Sequence, residues 1–154
     1  MMNLRRWLTV VVFTLSAVLA QAASPADEAA EAITNDLFAQ LDRVIDVVQT
    51  VKDEDSANKA ADQLKVIEDK LRKINEQIRT AEQPSKEESV HMMEQLKKKL
   101  PEFRTRLNAT KDQIHAAGPA AAATVGKAVN SIFQTLQAFG ENVGNRPPQP
   151  ATGK

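Results

Sequence analysis

Aliphatic side chains recur three and four positions apart in four separate stretches of this chain, and that spacing permits little except α-helices packed through their apolar stripes. The second stretch is the purest. Ala57, Ala60, Leu64, Ile67, Leu71, Ile74, Ile78 and Ala81 alternate three and four apart with no polar interruption, and Pro84 stops the pattern. Glu68 with Arg72 and Asp69 with Lys73 stand four apart, acid first, the favourable order for pairs on the exposed side.

The other three stretches are punctuated as clearly. Ile33, Leu37, Leu41, Val44, Val48 and Val51, widened by Phe38 and Ile45, predict an amphipathic helix from about Pro25 to Lys52 with an acidic far face. Asp53-Glu54-Asp55-Ser56 then offers caps for the next element. Ser85 with Glu88 is a capping-box pattern, so a third helix begins there. It continues through Met93, Leu96, Leu100, Phe103, Leu107, Thr110 and Ile114 to about Ala117. Pro101 sits inside that run; the apolar phase is kept across it, which predicts a kink in place of a break. Gly118-Pro119 separates a fourth helix carrying Val125, Val129, Ile132, Leu136, Phe139 and Val143.

Composition agrees with helices. Of 154 residues 23 are Ala and only 4% are aromatic, so the core is built from small and aliphatic groups that suit helices better than sheets. Four helices of roughly 25 to 30 residues joined by short turns predict an all-α, antiparallel up-down-up-down four-helix bundle. The rival arrangement is a long helical hairpin, made of the second and third helices, that dimerises through the same seams. That rival leaves the apolar stripes of the first and fourth helices in water, which favours the closed bundle.

Three regions follow. Residues 1–22 read as a signal peptide: Arg5 and Arg6 precede the apolar run Trp7 to Ala20, and Ala20-Gln21-Ala22 is a small-x-small cleavage site. The run of about 14 residues is short of the roughly 20 that span a bilayer, so cleavage is expected over a retained anchor. Residues 23–144 form the bundle, and residues 145–154 a disordered, proline-rich tail. The expected location is therefore exported, periplasmic or secreted, with no transmembrane span in the mature chain. Cleavage leaves 18 basic against 20 acidic groups, a balance that points to no nucleic-acid partner. With no cysteine, stability must come from burial.

Catalytic and cofactor chemistry find little footing. His91-Met92-Met93 and His115 invite comparison with haem-binding bundles, yet the phase set by Met93 and Leu100 turns His91 away from the seam and puts His115 on its flank. The two are 24 residues apart, about 36 Å along one helix, too far to share an ion. Glu88-Ser89-Val90-His91 has the letters of a Glu-x-x-His carboxylate site, but in one copy and facing outward. No nucleophile turn, phosphate loop or zinc cluster occurs. Catalytic residues, metal ligands and cofactors are accordingly expected to be none.

Two surfaces remain as binding candidates. Lys97, Lys98 and Lys99, with Arg104, Arg106 and Lys111 nearby, make the third helix locally basic and suggest contact with an anionic envelope polymer or lipid headgroup; a solvated face with interleaved acids is the plainer reading. Between Pro119 and Gly144 only Lys127 and Glu141 are charged, and the outer face carries Thr124, Asn130, Ser131, Gln134, Thr135 and Gln137. Uncharged polar surface is cheap to desolvate, so Asn130, Gln134 and Gln137 mark the expected partner or self-association face. Asn108-Ala109-Thr110 matches a glycosylation acceptor placed mid-helix.

Val51-Lys52-Asp53-Glu54-Asp55-Ser56-Ala57, with Leu64 and then Pro84-Ser85-Lys86-Glu87-Glu88, resembles small exported helical proteins of bacteria that have no assigned activity. The resemblance covers about residues 40 to 90, rests on caps and core positions, and implies a bacterial, extracytoplasmic setting without a site. The functional expectation is a non-enzymatic exported protein that binds a protein or envelope component. The alternatives are a bundle-type haem or metal carrier, and a periplasmic chaperone with an exposed concave apolar surface.

Overall fold

A computed structural model describes residues 24–144, with side chains through Glu141; the expected signal peptide at 1–22 and the expected tail at 145–154 lie outside the described residues. The chain is an all-α four-helix bundle, its elements being α1 (Pro25–Val48), α2 (Glu54–Thr80), α3 (Lys86–Ala109), a short α4 (Lys111–Ala116) and α5 (Pro119–Gly144). α4 continues the direction of α3, so the chain runs up, down, up and down.

Each boundary has a local cause. Ser24 caps α1 by accepting the Asp27 amide at 3.1 Å, with Pro25 in the first turn, where its missing N–H costs nothing. Asp53 caps α2 in a reciprocal box. Its carboxylate accepts the Ser56 amide at 2.8 Å, and the Ser56 hydroxyl oxygen accepts the amides of Lys52 and Asp53 at 2.8 and 3.0 Å. Those bonds end α1 at Val48, earlier than Lys52, and turn the chain within five residues. Helix α3 runs through Pro101 without ending; the break comes instead at Thr110, a buried residue whose hydroxyl donates to the Leu107 carbonyl at 2.7 Å. Gly118 adopts φ of 107°, which only glycine takes up without strain, and Pro119 opens α5.

The order of helices around the bundle differs from their order in the chain. The packed pairs are α1 with α2, α1 with α3, and α2 with α5, which puts α2 and α3 across a diagonal. The link from Ala81 to Ser85 makes this possible. Ala81 is extended, with φ −63° and ψ 155°, and five extended residues reach about 16 Å, whereas a diagonal between helices 8–10 Å apart is about 14 Å. Consequently α1 and α3 run parallel, as do α2 and α5, although successive helices alternate in direction.

The core is the α2 seam and what touches it. Ala57, Ala60, Leu64, Ile67, Leu71, Ile74 and Ile78 are all buried, as are Leu37, Leu41, Val44, Ile45 and Val48 of α1 and Ala121, Val125, Ile132, Leu136 and Phe139 of α5. At the start of α3 the phase is one residue earlier than the spacing predicts: Met92, not Met93, is buried. Thr135, expected on the outer face of α5, is also buried. On the surface Arg72 pairs with Glu68 at 2.6 Å, while among the described residues Asp69 and Lys73 are not within ion-pair distance of each other.

Leu64 is fully buried on the best-packed helix, so Leu64→Ala should destabilise the fold by about 3 kcal/mol through lost burial plus a cavity. Val66, 55% exposed two residues later, should tolerate the same change within about 0.5 kcal/mol. Urea unfolding midpoints for the two variants check the contrast.

Candidate functional site

The two edges of α3 are built differently. Toward α1 it is held by polar ties along its length. The Ser85 amide donates to the Asp27 carboxylate at 2.6 Å, Asp42 of α1 pairs with Arg106 and with Lys99 at 3.4 Å, and just beyond the break Gln113 donates to the carbonyls of Gln49 and Val51 at 2.7 and 2.9 Å. The capping box foreseen within Ser85–Glu88 is thus completed from another helix: Ser85 accepts the Glu88 amide at 3.1 Å, but Asp27 supplies the carboxylate.

Toward α5 the contacts are aromatic. The rings of Phe103 and Phe133 lie 5.8 Å apart at 53°, and the Arg104 guanidinium sits 6.0 Å from the Phe133 centroid, within cation–π range. Between the two helices runs an open groove with two chambers. One, of about 470 Å³, is walled by Leu107, Ile114, Val125, Val129 and Phe133 under Arg104, Lys111 and His115. The other, of about 500 Å³, lies between Leu100, Phe103, Phe133 and Leu136, with Asn130, Gln134 and Gln137 on its rim. Arg104 and Phe133 border both chambers.

Three of the residues whose burial falls short of their pattern line the groove, while Ile33 and Met93 border a separate recess by the α2–α3 link. Leu100, Ile114 and Val129 hold core phase in the sequence but are only half-buried, and all three line the groove. A closed bundle would have covered them. Two glycines of α5, Gly126 and Gly140, stand one on each chamber, and a Cβ at either would meet nothing within 4 Å. A mid-helix glycine costs roughly 0.5–1 kcal/mol relative to alanine, so two of them weaken α5 while leaving the groove wide.

The expected site residues distribute unevenly over this geometry. Asn130, Gln134 and Gln137 are exposed and come together on one chamber. Lys97 and Lys98 are exposed on α3, but Lys99 is turned onto α1 by its pairing with Asp42. His91 and His115 are both exposed; His91 meets Gln95 through its Nε2 at 2.6 Å, and His115 lies on the groove. Among the described residues no three His, Cys, Asp or Glu side chains gather as metal ligands. Asn108 is exposed on the groove, whereas Thr110 of the same acceptor triplet is buried. Arg104 was named only as part of the basic stretch of the third helix, and Phe133, Gly126 and Gly140 were not singled out. The two glycines fourteen apart on one helix face were the available signal.

Electrostatics follow the polar edge. The Ser85 amide holds the Asp27 carboxyl below its ordinary value, outweighing slight burial, with Ser24 assisting. Burial against α5 pushes Glu68 up, yet Arg72 and the Ser131 hydroxyl together carry it below the usual glutamate range. No family model, curated protein or solved structure matches the chain.

A depressed folded value means the Asp27 tie contributes fully above the unfolded aspartate range and is lost as pH falls through the folded value. Asp27→Asn should therefore melt at lower temperature than wild type at pH 7, with the gap closing below about pH 4. Melting curves across that window check it; a gap independent of pH would contradict the assignment.

Proposed function

We propose that this is an exported, non-enzymatic binding protein whose α3/α5 groove receives an apolar part of a cell-envelope component. One observation carries the reading: side chains with core phase, Leu100, Ile114 and Val129, stand half-exposed along two neighbouring chambers that share Arg104 and Phe133. Its chambers fall within the range of about 300–1,000 Å³ usual for ligand sites, and their walls are mostly apolar with a few polar groups, as such sites require. The face formed by Asn130, Gln134 and Gln137 borders this channel and can widen the contact to a protein partner. The leader-like residues 1–22 support export, and the resemblance to small exported bacterial proteins fits that setting. Among the described residues no helix is long and apolar enough to cross a membrane.

The open channel also favours a second reading, a periplasmic chaperone that shields unfolded apolar segments. Suppression of aggregation of an unrelated unfolded client separates the two.

Nile red, an uncharged apolar dye, should bind the purified protein with blue-shifted emission. Gly126→Leu, which fills one chamber from a position with free space, should weaken that binding roughly tenfold without lowering the melting temperature. Unchanged dye binding in a folded Gly126→Leu variant would remove the groove from the account.

A further inference from the structure

Resting on the groove reading above, we propose that the ligand is a single-chain amphiphile with an anionic head, of the fatty-acid type. Three properties of the channel select that chemistry. The first is charge. Every ionisable side chain on its walls is basic: Arg104, which borders both chambers, and Lys111 and His115 at the α4 end. Among the described residues none of the three is in an ion pair, in contrast to Lys99 and Arg106, whose charges are taken up by Asp42. Two cations, Arg104 and Lys111, above an apolar floor whose lining holds no carboxylate, complement an anion that carries a hydrocarbon chain.

The second is shape. From Ala122 to Gly140 the groove follows α5 for about 27 Å at 1.5 Å per residue. A leaflet's acyl chains span about half of a 30 Å hydrocarbon core, so one chain fits within that length.

The third is that neither terminal segment brings an acidic side chain to complement the rim. Residues beyond Glu141 carry Arg146 and Lys154 and no acidic side chain, and residues 1–23 carry Arg5 and Arg6 and none either. Both segments share the sign of the rim. Gly126 and Gly140, meanwhile, keep open a floor that no side chain of the described protein fills.

The test uses delipidated full-length protein and cis-parinaric acid, a fluorescent fatty acid, at submicellar concentration. The expected result is saturable binding at one site per chain, displaced by palmitate, displaced roughly tenfold less well by hexadecanol, which lacks the charge, and not by butyrate, which lacks the chain. Arg104→Gln combined with Lys111→Gln should weaken palmitate roughly tenfold more than it weakens hexadecanol or Nile red. Gly126→Leu should weaken every chain-bearing ligand. Nile red binding without parinaric acid binding, or hexadecanol competing as well as palmitate, would overturn the anionic assignment while leaving the groove reading intact. Failure of both dyes would remove the groove itself. A dimer whose dissociation exposes the parinaric acid site would assign the channel to a second copy and equally overturn the proposal.

Discussion

The apolar seam of α2 is the constraint on which the other helices depend. From Ala57 to Ile78 its seven core positions are covered on two sides, by α1 and by α5, and each of those helices turns its own stripe onto it. Burial at about 25 cal/mol per Å² is the only large source of stability in a chain without cysteine. Once α1 and α5 occupy the flanks of α2, the third helix has no place beside its predecessor. It crosses the diagonal and packs on α1, where Asp27, Asp42 and the carbonyls of Gln49 and Val51 receive it.

That placement explains the asymmetry of α3. Its side toward α1 is held by polar ties as well as by Met92, and toward α5 the ring and guanidinium contacts among the described residues are those of Phe103 and Arg104 with Phe133. The groove is therefore a consequence of topology as well as of side-chain size. The basic groups divide in the same way: Lys99 and Arg106 belong to the architecture, whereas Arg104 and Lys111 remain on the channel.

Much of the fold was legible because the seam residues obey one period and the breakers are strong. Helix type, number and alternation follow from Leu64, Ile67 and Leu71 and from Pro84 and Gly118-Pro119. Spacing cannot report which helix faces which, since that depends on the 16 Å reach of an extended link and on the Asp27–Ser85 bond between residues 58 apart. For the same reason Leu100, Ile114 and Val129 look like core in one dimension and line a groove in three. The exposed positions of Asn130, Gln134 and Gln137 were legible from the scarcity of charge on α5; the chambers they border were not.

The arrangement can be tested by distances, and the absence of cysteine makes two-site spin labelling clean. With one label at Glu76 on α2, a second is placed in turn at Gln137 on α5 and at Glu94 on α3, all three being exposed. The diagonal order predicts a single, shorter distance from α2 to α5 and a longer one from α2 to α3. A shorter α2–α3 distance would place successive helices side by side and contradict both the topology and the groove that follows from it.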